Sequence, residues 1–121
     1  MYTVIIETIF DAQHQLTLRD GVKEPLHGHA WMAACAVSTY TVDAMGLAFD
    51  FNRLKAMLDE IVAEFKDVQL ENTMIFKKVN SSAENVAEYV YNRLEKMLEQ
   101  NVKLEYVEIT EAPHCRARYS K

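Results

Sequence analysis

The stretch Glu24-Pro25-Leu26-His27-Gly28-His29, followed by the apolar run Ala30–Tyr40, decides the fold of this chain. Residues 27–42 have the composition of a long β-strand. Successive side chains of a strand point to opposite faces, so His27 and His29 project from the same face. Two neutral imidazoles about 6–7 Å apart along a strand can bind one metal ion together.

A third histidine lies upstream, at the end of another strand-like run. Residues 2–14 are rich in β-branched and aromatic residues and predict a strand that ends at His14. Residues 15–26 contain Asp20-Gly21 and Pro25, which indicate a loop. If this loop is a simple return, the two strands pair antiparallel and bring His14 close to His27 and His29.

Three imidazoles with a free fourth position form the donor set of a catalytic zinc site. The chain has only 4 histidines, and three of them belong to this group. The spacing also fits two simpler interpretations, a chance His-x-His pair or two hydrogen-bonded strand histidines.

The middle of the chain predicts two helices. After a turn at Asp43–Gly46, Asp50 is placed as an N-cap, and helical spacing of apolar residues follows from Phe51. The buried stripe of this first helix is predicted to be Leu54, Met57, Leu58, Ile61, Val62 and Phe65. Residues 66–80 lack a period. Ser81-Ser82-Ala83-Glu84 has the capping-box pattern, with Ser81 as the cap, and a second helix is predicted to about Gln100.

Residues 102–111 alternate and predict a strand, and residues 115–120 predict a last one. The order β-β-α-α-β-β indicates an α+β domain, an antiparallel four-stranded sheet with two helices packed on one face. The length of 121 residues fits a single domain, 1–121.

Composition excludes several function classes. The net charge of −5 and the pI of about 5.3 argue against a nucleic-acid partner. No apolar run is long enough to cross a membrane, and Met1–Glu7 lacks the features of a signal peptide. Cys35 and Cys115 have no metal-type spacing, so a cytoplasmic protein with free thiols is expected. Cys35 lies too far along the strand from His29 to share its metal and is interpreted as a core residue.

A four-stranded sheet leaves two open edges, which other subunits often close. A ring-like homo-oligomer is therefore expected. The alternative is a monomer whose edges are short and protected.

Together, these motifs resemble the 6-pyruvoyl-tetrahydropterin synthase / 6-carboxytetrahydropterin synthase family, which has the T-fold (tunnelling fold). The matching pieces occur in the family's order across nearly the whole chain. They are Phe10-Asp11-Ala12-Gln13-His14, Leu26-His27-Gly28-His29, Gly46–Phe51 with Leu54-Lys55, Ser82-Ala83-Glu84-Asn85, and Glu111 with Tyr119.

The resemblance implies Zn²⁺ held by His14, His27 and His29, and a pterin substrate anchored by Glu111. A carboxylate can accept two parallel N–H donors from the pterin ring. Without the resemblance, Glu111 would be interpreted as a solvated strand residue. The family's usual substrate is 7,8-dihydroneopterin triphosphate, and its active site lies between subunits of a hexamer. The resemblance thus implies that the expected homo-oligomer is a trimer or hexamer with its active site between subunits. The family contributes to queuosine, folate or tetrahydrobiopterin biosynthesis.

The chain departs from the family at the proton-transfer groups. Typical members use a Cys shortly before His-Gly-His and an Asp-His dyad between the helices. Here Lys23 aligns with the Cys, and Asp67-Val68 aligns with the dyad, so only the Asp is kept. Glu24 resembles the type III branch, in which Glu replaces the Cys and the product is 6-hydroxymethyl-7,8-dihydropterin. Glu24 and Asp67 are therefore the predicted catalytic residues, with a plain loop carboxylate as the alternative for Glu24.

Other residues have two interpretations each. His114 either replaces the missing dyad histidine or is a surface loop residue. Arg116 and Arg118 either contact substrate phosphates or form a solvated basic face. Ser82 either touches substrate or caps the helix. The whole chain is either a zinc-dependent lyase acting on the side chain of 7,8-dihydroneopterin or its triphosphate, or an inert homologue that binds a pterin- or purine-like ligand.

Overall fold

The computed structural model describes all 121 residues and contains four strands and two helices. Their bounds are β1 Tyr2–His14, β2 His27–Thr39, α1 Phe51–Val62, α2 Ala83–Glu95, β3 Lys103–Ala112 and β4 Cys115–Tyr119. A single 3₁₀ turn, Leu70–Asn72, lies between the helices. The predicted order β-β-α-α-β-β and the four-stranded antiparallel sheet are confirmed.

The register of β1 against β2 creates the site. The sheet order is β1-β2-β3-β4, and every pair is antiparallel. β1 and β2 pair without a bulge from Tyr2 opposite Thr39 to His14 opposite His27. Directly opposite residues project from the same face, so the strand pairing itself places the His14 side chain beside that of His27.

One face of the sheet packs on the two helices. In β1 alternate residues are buried there, as the period of two requires, whereas residues 33–39 of the central strand β2 are all buried. Fully burying such a side chain stabilises the fold by roughly 1.5–3 kcal/mol. The core contributed by the strands includes Phe10, Trp31, Cys35, Val107 and Ile109, and that of the helices includes Leu54, Leu58, Ile61, Val86, Val90 and Leu94.

Helix α1 begins as predicted. The Asp50 side chain accepts hydrogen bonds from the backbone N–H groups of Asn52 and Arg53, which satisfies two of the free donors of the first turn. The helix ends at Val62, and Phe65 is fully buried in the turn that follows.

The N-cap of helix α2 differs from the predicted one. Ser82 is the N-cap, and its side chain accepts from the backbone N–H of Asn85. The Ser81 hydroxyl instead donates to Glu71, so the prediction of Ser81 as cap was wrong. The helix also ends at Glu95 and does not reach Gln100, because the last N–H groups bond to carbonyls three residues back and tighten the chain into a turn.

The segment between the helices covers part of the sheet edge. The Asp67 N–H donates to the Asp11 carbonyl at 2.7 Å, and the Gln13 N–H donates to the Val68 carbonyl at 3.0 Å. The edge of β1 is therefore closed near the histidines, whereas residues 2–10 have no neighbour on that side. No helix has the length and apolar character needed to span a membrane.

Candidate metal centre and active site

Four side chains converge at the ends of β1 and β3 and the start of β2. They are His14, His27, His29 and Glu111, and their donor atoms all lie within 4.8 Å of one another. The Nε2 atoms of His14 and His27 are 2.8 Å apart. Oε1 of Glu111 lies 2.6 Å from Nε2 of His14 and 3.6 Å from Nε2 of His29.

Backbone carbonyls fix the orientation of two of the rings. Nδ1 of His14 donates to the Ser81 carbonyl at 2.9 Å, and Nδ1 of His27 donates to the Pro25 carbonyl at 2.8 Å. A carbonyl oxygen only accepts, so the proton of each neutral ring is on Nδ1 and the lone pair is on Nε2. The two lone pairs therefore face each other beside a carboxylate oxygen, an arrangement that requires a shared cation or proton between them.

This donor set fits a zinc ion. Zinc binds imidazole nitrogen and carboxylate oxygen at about 2.0–2.2 Å in tetrahedral geometry, which places ligand atoms roughly 3–4 Å from one another. The donated Nδ1–H groups are the outer hydrogen bonds that metal-bound histidines normally make. Glu111 lies where a fourth donor would be, and its predicted role as pterin anchor stays a prediction.

The buried side of the site is formed by His14 and Trp31. His14 is fully buried, while His27 and His29 are partly exposed, so the donors open to solvent on one side. The Trp31 ring packs edge-on against His14 at 4.8 Å between centroids, and its Nε1–H donates to the Ala12 carbonyl. Burial, followed by the nearby His27, lowers the pKa of His29 below its usual value. The neutral, metal-binding form of His29 is thus favoured.

Glu24 lies beside the histidines. Its Oε1 is 3.8 Å from Nε2 of His27 and accepts from the Leu16 N–H at 3.1 Å. The Glu24 N–H in turn donates to the Leu16 carbonyl. The predicted base is therefore held at the edge of the cluster by the loop of residues 15–26, with its side chain about one-quarter exposed.

Asp67 is not in the cluster. It lines a cavity of about 490 Å³ together with His29 and Asp11. Its backbone has φ of 60°, in the left-handed region, because the chain turns there to pair with β1. The structure thus places Asp67 beside the site only as a cavity wall, and Val68, at the position aligned with the dyad histidine, lines the same cavity.

His114 lies in the β3–β4 turn with φ of 69°. It lines a smaller cavity of about 240 Å³ with Glu111 and Glu84, so it is close to the site but exposed and without a hydrogen-bond partner. Cys35 is fully buried, and burial raises the pKa of its thiol to about 12, which confirms it as a core residue.

Arg116 and Arg118 both pair with Glu108, at 3.7 and 2.9 Å. The Arg118 guanidinium also stacks over the Tyr106 ring. These contacts within the β3–β4 hairpin engage both arginines, which favours the solvated-face interpretation over phosphate binding.

Sequence reasoning missed two supports of the site. Glu71 accepts from the Gln15 N–H and the Ser81 hydroxyl, and the Ser81 carbonyl orients His14, yet nothing in the aperiodic segment 66–80 singles Glu71 out. Trp31 had a signal, because it lies two residues after His29 and therefore on the same strand face.

Comparisons with known proteins agree with this geometry. The family model described as 6-pyruvoyl tetrahydropterin synthase matches residues 3–121. The chain is 31% identical to a 6-carboxy-5,6,7,8-tetrahydropterin synthase from Synechocystis, over 98% of this chain and 93% of that protein. It is 30% identical to a dihydroneopterin monophosphate aldolase from Pyrococcus furiosus, over 89% and 88% of the two chains. A Caenorhabditis elegans 6-pyruvoyl tetrahydropterin synthase structure superposes with a TM-score of 0.81 at 21% identity, over 100% and 97% of the chains.

Proposed function

Since the chain belongs to the 6-pyruvoyl tetrahydropterin synthase family, we propose that it is a zinc-dependent lyase acting on the side chain of 7,8-dihydroneopterin or a phosphate ester of it. The product that Glu24 favours is 6-hydroxymethyl-7,8-dihydropterin. The observation that carries the proposal is the pair of facing Nε2 lone pairs of His14 and His27 beside the Glu111 carboxylate.

His14, His27 and His29 would hold the zinc ion. When bound, zinc acts as a Lewis acid that acidifies the side-chain hydroxyls of the substrate. Trp31 and His14 are both fully buried, so they keep water from one side of the imidazole nitrogens. Electrostatic interactions on that side are stronger because the local dielectric constant is lower.

Glu24 is the proposed proton acceptor. Cleaving the bond between C1′ and C2′ of the side chain requires removal of the 2′-hydroxyl proton and addition of a proton at C1′. The Glu24 carboxylate lies at the edge of the histidine cluster, and its hydrogen bond from the Leu16 N–H holds it there. The aldolase relative from Pyrococcus furiosus supports carbon–carbon cleavage in this family.

Asp67 and Glu111 have supporting roles in this proposal. Asp67 lines the cavity beside His29 and would assist proton transfer from that side. Glu111 would accept the N–H groups of the pterin ring once zinc holds the imidazoles in place.

The experiment is a product assay. Zinc-loaded protein is incubated separately with 7,8-dihydroneopterin and its mono- and triphosphate, and the products are identified by mass. Glu24→Gln, which can still accept from the Leu16 N–H, should lower kcat by 10²-fold or more with zinc retained. His27→Ala should lose both zinc and turnover.

Glu60→Gln is the matched control, since this exposed glutamate lies on α1 and should behave as wild type. A product mass of 6-hydroxymethyl-7,8-dihydropterin supports cleavage by Glu24. Turnover that survives Glu24→Gln would contradict the assigned base, and no turnover on any dihydroneopterin form would contradict the lyase.

A second candidate function is a pterin- or purine-binding protein without turnover. Lys23 at the aligned Cys position and Val68 at the aligned dyad position favour it, because neither side chain moves protons as the usual groups do. Stoichiometric ligand binding, seen as a rise in Tm without product, would support this function.

The site is also proposed to form within a cytoplasmic homo-oligomer, a trimer or hexamer. The uncovered edge of β1 along residues 2–10 and the exposed Ile5 and Ile9 side chains support assembly through this strand.

A further inference from the structure

One oxygen of the Glu111 carboxylate lies against all three imidazoles of the candidate metal centre. This oxygen, Oε1, is 2.6 Å from Nε2 of His14, 3.6 Å from Nε2 of His29 and 3.8 Å from Nε2 of His27. Ligand atoms around tetrahedral zinc lie roughly 3–4 Å from one another. A single carboxylate oxygen therefore occupies the corner that three histidines leave open.

A β-bulge directs Glu111 towards the imidazoles. In the pairing of β3 with β4, Thr110 lies opposite Arg116 and Ala112 lies opposite Cys115, so Glu111 is the extra residue between two pairs. The pairing of β2 with β3 also ends at Thr110. A bulge bends its strand and changes the direction of the side chain there, and bulges are frequent beside active sites. The strand pairing itself thus sets the position of this carboxylate.

The Glu111 carboxylate has no cationic partner in the chain. No lysine or arginine nitrogen lies within 4 Å of it, and the histidines are its ion-pair partners. Nε2 of His14 and of His27 carries a lone pair, because the Nδ1–H of each ring donates to a backbone carbonyl. A partly buried carboxylate that faces two acceptors requires a cation held between them.

The same carboxylate has a second partner in the proposed function. A carboxylate that binds the pterin ring accepts two parallel N–H donors with both of its oxygens. Oε1 of Glu111 is not free for this contact while it lies beside the imidazole nitrogens. The substrate hydroxyls also need the coordination position that this oxygen occupies. The two contacts of Glu111 therefore exclude each other.

We propose that Glu111 is the fourth zinc ligand of the substrate-free protein and that the substrate replaces it. The inference rests on the proposed function and adds an exchange of ligands, in which one zinc–oxygen bond breaks and another forms. Glu111 leaves the metal as a substrate hydroxyl takes its position, and the released carboxylate accepts from the pterin ring. A cavity of about 240 Å³, lined by Glu111, Glu84 and His114, gives the side chain room to move.

The first test measures zinc affinity by competition with a chromogenic chelator. Losing even an outer hydrogen bond of a metal ligand weakens binding about 10- to 100-fold, so Glu111→Gln, which loses a ligand, should bind zinc at least tenfold more weakly. Glu84→Gln is the matched control, because it removes an exposed carboxylate from the same cavity. Salt screens an exposed charge, so this variant should stay within about threefold of the wild type.

The second test measures whether the fourth position is open. Cobalt(II), which absorbs visible light, replaces zinc, and imidazole is titrated as a small uncharged ligand. Apparent affinity falls in proportion to the fraction of open sites, so imidazole should bind Glu111→Gln at least about tenfold more tightly than the wild type. Because imidazole carries no charge, loss of the Glu111 charge does not by itself produce this difference. Glu84→Gln should match the wild type.

The exchange itself is tested with neopterin, the oxidised form of dihydroneopterin, which carries the same hydroxyls. Adding it should shift the visible bands of the cobalt-loaded wild type, because a hydroxyl oxygen replaces a carboxylate oxygen. Bands that stay unchanged at millimolar neopterin would overturn the exchange.

Equal zinc affinity of wild type and Glu111→Gln, or equal imidazole affinity, would overturn Glu111 as a ligand. A lower Tm of the zinc-free Glu111→Gln protein would overturn it as well, since it would assign Glu111 a structural role. None of these measurements requires turnover. A protein without lyase activity that shows the zinc and imidazole effects would keep Glu111 as the fourth ligand, and an active protein that shows neither would contradict the ligand and leave the lyase intact.

Discussion

At the scale of single residues, the site depends on how His14 is held. The Ser81 carbonyl accepts from its Nδ1, and Glu71 in turn accepts from the Ser81 hydroxyl and the Gln15 N–H. Glu71 thereby holds Gln15, which follows His14, and Ser81, whose carbonyl orients the His14 ring. Outer hydrogen bonds of this kind set the direction of a metal ligand and its basicity.

Replacing Glu71 by Ala is expected to weaken zinc binding by roughly 10- to 100-fold, because the Ser81 carbonyl is no longer held against His14. Competition with a chromogenic chelator measures the affinity. Glu71→Gln, which keeps an acceptor oxygen, should stay close to wild type, and Glu60→Ala serves as a control for loss of a surface carboxylate. Unchanged zinc affinity in Glu71→Ala would show that Ser81 needs no support.

At the scale of the elements, the start of α2 connects the helix to the site. Ser82 caps the helix through the Asn85 N–H, which leaves the adjacent Ser81 free to turn inward, where it is fully buried. Two neighbouring serines thus have different functions, one in the helix and one behind His14. The shift of the cap by one residue decides which carbonyl faces the imidazole.

Ser82→Ala should lower the free energy of unfolding by about 1 kcal/mol, the usual effect of losing an N-cap side chain. Urea unfolding at one fixed protein concentration measures it, since assembly also contributes to stability. Ser82→Asp should retain the stability, because Asp is an equally good cap. Equal stability of wild type and Ser82→Ala would contradict the capping role.

At the scale of the whole molecule, the two helices cover one face of the sheet, and no helix covers the other face. Ile5 and Ile9 are four residues apart in β1, so their side chains project from the same face of the strand. They are 50% and 69% exposed. The neighbouring edge of β1 has no strand partner along residues 2–10. Exposed apolar side chains beside a free edge are typical of a surface that binds another subunit.

Ile9→Lys is expected to reduce the oligomer to monomers or to weaken it at least tenfold, because a buried ammonium at an interface lacks a partner. Light scattering after size exclusion gives the mass. Met45→Lys, at a residue 78% exposed in the turn after β2, should assemble as wild type. A monomeric wild type, or an Ile9→Lys protein of wild-type mass, would contradict assembly through this strand.

The sequence by itself determined the order of the elements and the three-histidine cluster. Alternation and helical spacing are local patterns, and they gave β1 its bounds and α1 its start at Phe51. Antiparallel pairing of two strands across one loop then placed His14 opposite His27, since register follows from the buried face. The lengths of β2 and α2 were overestimated, because helix and strand ends depend on the turns that follow.

Only the tertiary structure decided the surroundings of those histidines. His14 and Ser81 are 67 residues apart, and Glu71 contacts Gln15 across 56 residues. The pairing of Gln13 with the 67–69 segment also joins distant parts of the chain. These contacts involve aperiodic segments, whose paths are set by packing against the finished sheet and helices, so no local pattern in the sequence encodes them.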